Sequence, residues 1–432
     1  MKVNEKLKKL ENIMLQRGVV ASRDLTQELG ISRATLLRLL AQKPSQWVSI
    51  GKTHNQKYGR LRSIADLGQE VPLFRIDETG KLLPFGRLQF LEKNSYLVDP
   101  GAQIFDALPP EIHDMSPQGF MGRNFAGKYH SELGLPPRLQ DWSDEHILKS
   151  TAKRGEDFPG NLIVGEESAQ RWQNIPYINT TMDDWIGMIE QAFKMESGGS
   201  SAGGDRPKFT TLMANIHGMV KFAGPVSQPD QRRWADLLYC ENMAYSILQN
   251  AGITCAETLL TGNEFIFLAT TRFDRVGLKG RKPYLSFAAV DAFLFCDQQT
   301  WSHTAEKLYK SHRLSKEDFD KVCLVEAFAQ LIGDTDRHFY NMGLLPEFDA
   351  SVSLTPGFFH LSPIFDKSPM VFAPYDGRII EREFEPGVPK ANLVHVWDQA
   401  VTLAKLFWET VTENRNISST FRKLASACLK KL

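Results

Sequence analysis

The chain lacks the features that announce a membrane or secreted protein. No run in its 432 residues approaches the ~18 consecutive apolar positions of a membrane span. The N-terminus, MKVNEKLKKLENIMLQRG, alternates charged and apolar residues and offers no apolar h-region, so a signal peptide is not expected. Cysteine is scarce. The five cysteines, Cys240, Cys255, Cys296, Cys323 and Cys428, are odd in number, and no two form a C-x-x-C pair. That pattern speaks against a disulfide framework or a zinc ribbon and predicts reduced thiols in a cytoplasmic protein. Net charge is also missing, because 51 Lys and Arg face 51 Asp and Glu. Bulk electrostatics therefore gives no reason for a nucleic-acid or membrane partner, and any basic surface must be local. What remains is ordinary: 42% hydrophobic and 24% charged residues, as in soluble globular chains, at a length that predicts two or three domains.

A local basic surface is present at the start. Leu7, Leu10, Ile13 and Met14 recur at helical spacing until Gly18. A second helix is expected from Ser22 as N-cap to Gly30, with Leu25 and Leu29 inside. In ISRATLLRLLAQK, Ser32 caps a third helix. Leu36, Leu37, Leu39 and Leu40 should face inward, leaving Arg33, Thr35 and Arg38 outside. Helix, glycine turn and helix form the helix-turn-helix pattern, with the later helix as reader. WVSIGKTHNQKYGRLRSI then reads as two short strands around a polar loop. Lys52, His54, Lys57, Arg60 and Arg62 there suit a wing on a phosphate backbone. Residues 1–64 hold 13 Lys or Arg against 4 Asp or Glu, an excess of nine. The competing reading is a three-helix packing module with a solvated charged face. The concentration of charge favours DNA binding, through Ser32, Arg33, Thr35, Arg38, Lys52, Lys57 and Arg60.

From about residue 70 the composition shifts. VPLFRI and RLQFLE look like strands around a turn with Gly80 and Gly86, and NLIVG is a third short strand. FDALPPEIHDMSPQGFMGR carries too many helix breakers for a long regular element. Next comes ESGGSSAGGDRPKFTTLM. A Gly/Ser run brings backbone amides and hydroxyls close to an anion. It matches neither the Walker pattern nor the usual kinase Gly-rich loop, and such runs are commonly flexible linkers.

Further signals follow in order. Lys221 lies in the apolar strand MVKFAGP, where a lone lysine is costly without a partner. Glu241 sits among the inward positions of the amphipathic helix WADLLYCENMAYSILQNAGI and is a candidate for that partner, although a snorkelling lysine and a surface glutamate remain the alternative. A strand over Phe265–Ala269 then turns polar at TTRFDR. From residue 286 the pattern is mostly helical, and LSKEDFDKVCLVEAFAQLIG reads as an amphipathic helix ending at Gly333. It delivers the chain to LIGDTDRHFYNMGLL, a polar knot in an apolar frame. Asp336 and Asn341 there have the D-x-x-x-x-N spacing of a kinase catalytic loop. In that loop the Asp takes the proton of the substrate hydroxyl and the Asn binds a metal. Asp366 ends the apolar run of LSPIFDKSP, and the intervening residues suit a β-hairpin that returns it to Asn341. One amide and one carboxylate, with ATP phosphates and waters, fit the needs of Mg2+. Asp334 and Arg337 read as loop-shaping or surface residues. Gly-rich loop, strand lysine, helix glutamate, hinge strand, Asp336/Asn341 and Asp366 stand in kinase order.

On these residues, positions 70 to about 400 resemble the HipA-type serine/threonine kinases of bacterial toxin–antitoxin systems. SSAGGDRPKF stands where the family has its S-x-A-G-x-x-x-K loop, TTRFDR for its E-R-F-D-R hinge and TDRHFYN for its T-D-x-H-x-x-N catalytic loop. PIFD stands at the metal-binding Asp. The resemblance implies an α+β, bilobed kinase-like fold that uses ATP and Mg2+. Asp336 would be the catalytic base, and Asn341 and Asp366 the metal ligands. Lys221, Glu241, His338, Gly203 and Lys208 would serve ATP binding, with Thr271 and Phe273 at the hinge. Ser200, or else Ser201, would be a site of autophosphorylation in the Gly-rich loop. Two departures stand out: Thr271 replaces the hinge glutamate, and Pro207 precedes Lys208. An N-terminal winged helix is not part of the usual HipA chain and resembles the YjjJ (HipH) branch, where both functions share one polypeptide.

The resulting expectation is a winged helix-turn-helix at 1–66, an N-terminal kinase lobe at 67–270 and a helical C-terminal lobe at 271–432. Its partners would be DNA, a protein substrate, which for relatives belongs to the translation machinery, and no membrane, with homodimerisation left open. Two other readings stay on the table. One is a DNA-binding regulator whose kinase-like lobe only senses nucleotide. The other is a metal-dependent deoxyribonuclease, resting on general two-metal logic alone.

Overall fold

A computed structural model describes residues 3–52, 55–196, 207–348 and 354–432. Ser200, Ser201, Gly203 and His54 lie outside the described residues.

The N-terminal module runs α1 (Val3–Arg17), β1 (Val20–Ala21), α2 (Ser22–Leu29), α3 (Arg33–Leu40), β2 (Trp47–Ile50) and β3 (Lys57–Arg60), with sheet order β1-β3-β2. This is the topology of a winged helix. Leu10, Met14, Leu25, Leu36 and Leu39 form its core. Gly30 closes α2 in the left-handed region at φ 60°, and Ser32 caps α3 by accepting from the Thr35 amide at 3.2 Å. Two expectations need correction. Ala21 is the N-cap of α2, and Ser22 is already helical. Leu37 is 46% exposed, because one residue beyond Leu36 the helix has turned by about 100°. Ile50, Leu91 and Leu97, with Val19, Val48 and Leu61 against them, pack the module onto the domain that follows.

That domain contains β4 (Glu70–Ile76), β5 (Leu82–Leu91), β6 (Ser95–Asp99), β7 (Gln103–Phe105), α4 (Pro110–Asp114), α5 (Gly119–Leu133), α6 (Asp144–Arg154), β8 (Leu162–Val164) and α7 (Glu166–Gln173). Its antiparallel sheet has the order β7-β6-β5-β4-β8. The prolines do not exclude helix here. Pro110 is the first residue of α4, where its missing N–H costs nothing, and α5 starts two residues after Pro117 and runs for 15.

A second antiparallel sheet, ordered β11-β12-β10-β9, follows α8 (Met182–Glu196). It comprises β9 (Lys208–Met213), β10 (Ile216–Ala223), β11 (Thr258–Gly262) and β12 (Ile266–Thr271), with α9 (Pro229–Asn250) between the second and third. Strand alternation sorts its faces. Val220, Phe222, Phe267 and Ala269 meet Trp185 of α8 and Phe120 of α5, whereas Ala223 and Leu268 meet α9. The segment 67–270 thus holds two separate sheets, each with its own core.

After the hairpin of β13 (Arg275–Val276) and β14 (Gly280–Arg281) and the short β15 (Leu285–Ser286), the chain becomes largely helical: α10 (Phe287–Leu294), α11 (Trp301–Lys310), α12 (Lys316–Leu331), α13 (Trp397–Glu413) and α14 (Ser419–Leu429). The hairpin of β16 (Gly343–Phe348) and β17 (Pro356–Leu361) interrupts them. Phe319, Val322, Leu324, Val325, Phe328 and Leu331 of α12 are buried, but so are Cys323, Glu326, Ala327 and Ala329. The helix is enclosed rather than amphipathic, because α11 and α13 flank it. No helix among the described residues is long and apolar enough to cross a membrane.

Candidate active site

The sheet of β9 to β12, α5 and the segment after α12 line one cleft of about 990 Å³. Lys208, Lys221, Glu241, Thr271, Phe273, Asp336, His338, Asn341 and Asp366 all border it. They come from distant parts of the chain, and the fold gives each a reason to be there.

Lys221 is inward-facing on β10, with its ammonium 2.7 and 2.8 Å from the two Glu241 oxygens of α9, and it also contacts Asp366. All three groups lie within a largely buried space, so each charge is tolerable only because the others answer it. Burial alone would lower the Lys221 pKa; Asp366 and Glu241 outweigh it and hold the pKa above its usual value. Asp366 is the mirror case. Burial pushes its carboxyl up, but Lys221, then Lys208 across the strand pair, hold it well below the usual carboxylate range. Asp366 also sits at φ 53°, a left-handed conformation costly for a non-glycine residue. Its amide donates to the Tyr245 hydroxyl at 2.8 Å, and that hydroxyl donates to Glu241 at 2.6 Å. Tyr245, one turn along α9 from Glu241, therefore ties the helix to Asp366. Sequence reasoning missed it, and the i+4 spacing from Glu241 was its only signal.

The catalytic-loop candidate begins where α12 ends. Gly333 at φ 76° lets the chain turn, and a Cβ there would come 2.8 Å from Val371. Asp334 is fully buried, not a surface residue, and it shapes the loop by accepting the Asp336 amide at 2.9 Å. Burial pushes its pKa up to about 7 against the attraction of Lys367. The Asn341 side-chain amide donates to the Asp336 carbonyl at 2.9 Å and approaches its carboxylate at 3.4 Å, leaving the Asn341 side-chain oxygen for another partner. Asp336 and His338 are each about half exposed, 3.6 Å apart. Lys367 was also overlooked. It is completely buried, donating to the carbonyls of Asn341 at 3.0 Å and Phe365 at 2.9 Å, with its ammonium 4.4 Å from the centre of the Trp301 ring. It fastens the Asp336/Asn341 loop to the turn that carries Asp366. Its signal was a lysine inside the apolar frame of PIFDKSP.

At the expected hinge, the Thr271 amide donates to the Glu257 carbonyl at 2.8 Å, and its hydroxyl accepts from the Glu257 amide at 3.1 Å. Phe273 packs on Tyr284 and Phe365. Two links join the cleft to the domain of α4 and α5: Gln118 donates to the Tyr340 hydroxyl, and Ser286 donates to Asp114. No group of three or more His, Cys, Asp or Glu side chains that could hold a metal occurs among the described residues. The hard oxygens of Asn341 and Asp366 are too few for a protein-only site but fit a metal that is completed by phosphates and water.

In the N-terminal module, Arg33, Arg38, Lys52 and Lys57 are exposed, and Thr35 is partly so. Ser32 spends its hydroxyl on capping. Arg60 lies 3.6 Å from Glu92, and Arg62 contacts Glu145, so both reach toward the following domain.

A family model described as YjjJ-like toxin, middle domain, matches residues 67–173, and one described as HipA-like C-terminal domain matches residues 200–431. Toxin YjjJ of Escherichia coli (strain K12) is 32% identical over 447 residues, covering 99% of this chain and 97% of that protein. Among solved structures, a chain of the Shewanella oneidensis MR-1 toxin–antitoxin complex of HipA, HipB and operator DNA superposes with a TM-score of 0.54 at 13% identity. It covers 84% of this chain and 96% of that one. The last comparison speaks to fold. The family models and the 32% identical relative show that the chain belongs to the HipA-like toxins, in their YjjJ-like branch.

Proposed function

We propose that this HipA-like chain is an ATP- and Mg2+-dependent protein serine/threonine kinase joined to a DNA-binding winged helix. The observation that carries the proposal is the junction of Lys221, Glu241 and Asp366 beside Asp336 and Asn341 in one cleft. Phosphoryl transfer needs little covalent chemistry from the protein; it needs positioning and charge stabilisation. Lys221, oriented by Glu241, is suited to hold phosphate oxygens, with Lys208 adjacent. Thr271 and Phe273 would border the adenine, and His338 would contact the nucleotide. Asn341 and Asp366 would hold Mg2+, which supplies neutralisation of phosphate charge. Asp336, half exposed at the cleft floor, would accept the proton of the acceptor hydroxyl at its carboxylate. Ser200 or Ser201 would serve as an autophosphorylation site, and a protein of the translation machinery as substrate. The division into 1–66, 67–270 and 271–432 belongs to the same proposal, as do cytoplasmic location and DNA contacts from Arg33, Thr35, Arg38, Lys52 and Lys57.

Incubation with labelled ATP, followed by mass-spectrometric mapping, tests the kinase reading. Label is expected on Ser200, Ser201 or an added protein, and nucleotide should raise the melting temperature. Absence of both label and thermal shift would sink it.

A further inference from the structure

A second cavity, of about 330 Å³, lies beside the cleft and shares Glu156, Asp157, Met188 and Thr210 with it. The β13–β14 hairpin, the four-stranded sheet and residues 175–180 enclose it. Three guanidiniums gather at this corner. Arg272 and Arg275 each pair with both Asp157 and Asp274, so two cations meet two carboxylates. Arg281 is the third, and it is only 3% exposed. Its Nη2 donates to a neutral acceptor, the Glu156 carbonyl, and its Nη1 has no hydrogen-bond partner. Among the described residues no carboxylate pairs with it. The Glu156 side chain, on the same wall, has its pKa raised by burial against the attraction of Arg171 and Arg154, and its Oε2 has no hydrogen-bond partner either.

A buried guanidinium with no carboxylate in direct contact is costly, and this one cannot escape by losing its proton under ordinary conditions. Burial, with repulsion from Arg275 and Arg272, outweighs the attraction of Asp157 and Asp274 and pushes its pKa well below the usual value. The surroundings complete a receptor for negative charge. Lys279 is exposed at the mouth, its ammonium 5.7 Å from the Tyr177 ring centre, with no carboxylate partner among the described residues. Tyr177 itself lies within the field of Arg281 and Arg275.

We infer that this cavity binds a phosphate-type anion, held by Arg281 and closed over by Lys279. The planar guanidinium fork matches phosphate oxygens in geometry as well as charge. Asp157 lies on the shared wall and pairs with Arg272 of the hinge segment, so an anion bound here changes the electrostatic balance at the edge of the cleft. The inference stands independently of the kinase reading.

Thermal unfolding of the full chain in titrations of inorganic phosphate or O-phosphoserine, without nucleotide, tests it. Wild type should gain on the order of 2 °C in millimolar phosphate. Arg281→Met and Lys279→Met should lose the response, whereas Lys221→Met, altered in the main cleft, should keep it. A stronger response to phosphoserine than to phosphate identifies a protein-borne group as the source; the reverse identifies the free ion. With its unpaired charge removed, Arg281→Met should melt no lower than wild type in phosphate-free buffer, and Lys279→Met carries the test alone if Arg281→Met does not fold. A response retained in Lys279→Met and Arg281→Met but lost in Lys221→Met places phosphate in the main cleft and overturns the inference. So does a wild type that ignores both anions.

Discussion

The cleft and the N-terminal module handle charge in opposite ways. In the cleft, Lys221 meets Glu241 across 20 positions of sequence and Asp366 across 145, and all three sit in largely buried surroundings. In the module, Arg33, Arg38, Lys52 and Lys57 stand in solvent on a frame whose core is built by local helices. Buried charge is held by its partners and is rigid; exposed charge is screened, loosely held and available. A rigid constellation suits chemistry that depends on fixed geometry, and a loose basic face suits the backbone of a nucleic acid. The two regions should therefore fail differently when altered.

The largest separation is expected from Asp336→Asn or Asp366→Asn. Either should cut phosphoryl transfer by about 10³-fold or more, while salt-sensitive DNA binding, read by fluorescence anisotropy, stays at wild-type strength. Parallel loss of both activities would erase the contrast. Next comes Lys221→Met, which strands the Glu241 carboxylate in the interior. It should cost about 3 kcal/mol in denaturant unfolding, and adding Glu241→Gln should cost much less than the sum of the two single changes. Additive costs would show that the pair is not coupled.

A pH profile sharpens the same point. Asp334 in the fold has its pKa raised to about 7, above the value of about 4 for an unfolded carboxyl. A raised carboxyl favours the fold when protonated, so its contribution is full below pH ~4 and lost as pH climbs toward 7. Asp334→Asn should flatten that loss, on the order of 4 kcal/mol, and an unchanged profile would contradict it. The smallest effect belongs to the module. Arg38→Ala should change stability by less than about 0.5 kcal/mol, yet lower the salt slope of DNA affinity by about one unit. An unchanged slope would remove Arg38 from the contact surface.

Legibility followed the same divide. Glycine at 30, serine at 32 and leucines at helical spacing act within a few residues of one another, so the three helices and two wing strands could be read directly. The spacing of Asp336 and Asn341 was equally local, and the β16–β17 hairpin was expected from the residues between Asn341 and Asp366. Leu37 misled because an apolar residue does not declare its face. The prolines around α4 and α5 misled because a helix breaker is also a helix starter. Asp334 was read as loop-shaping without its burial being visible, and Tyr245 and Lys367 were missed because Asp366, Asn341 and Trp301, which give them their roles, lie far along the chain. Lys367 gains its meaning only from Asn341 and Trp301, 26 and 66 positions earlier.

The sequence by itself determined the helix-turn-helix start, the basic excess that goes with it, and the order of the cleft residues along the chain. Periodicity, capping and short motifs act over one or two turns and need no knowledge of the rest. Only the tertiary structure decided that Lys221 pairs with both Glu241 and Asp366, that Arg60 and Arg62 turn toward carboxylates of the next domain, and that Arg281 is buried without one. Those outcomes depend on which charges share a low-dielectric space. Packing sets that, whereas distance along the chain does not.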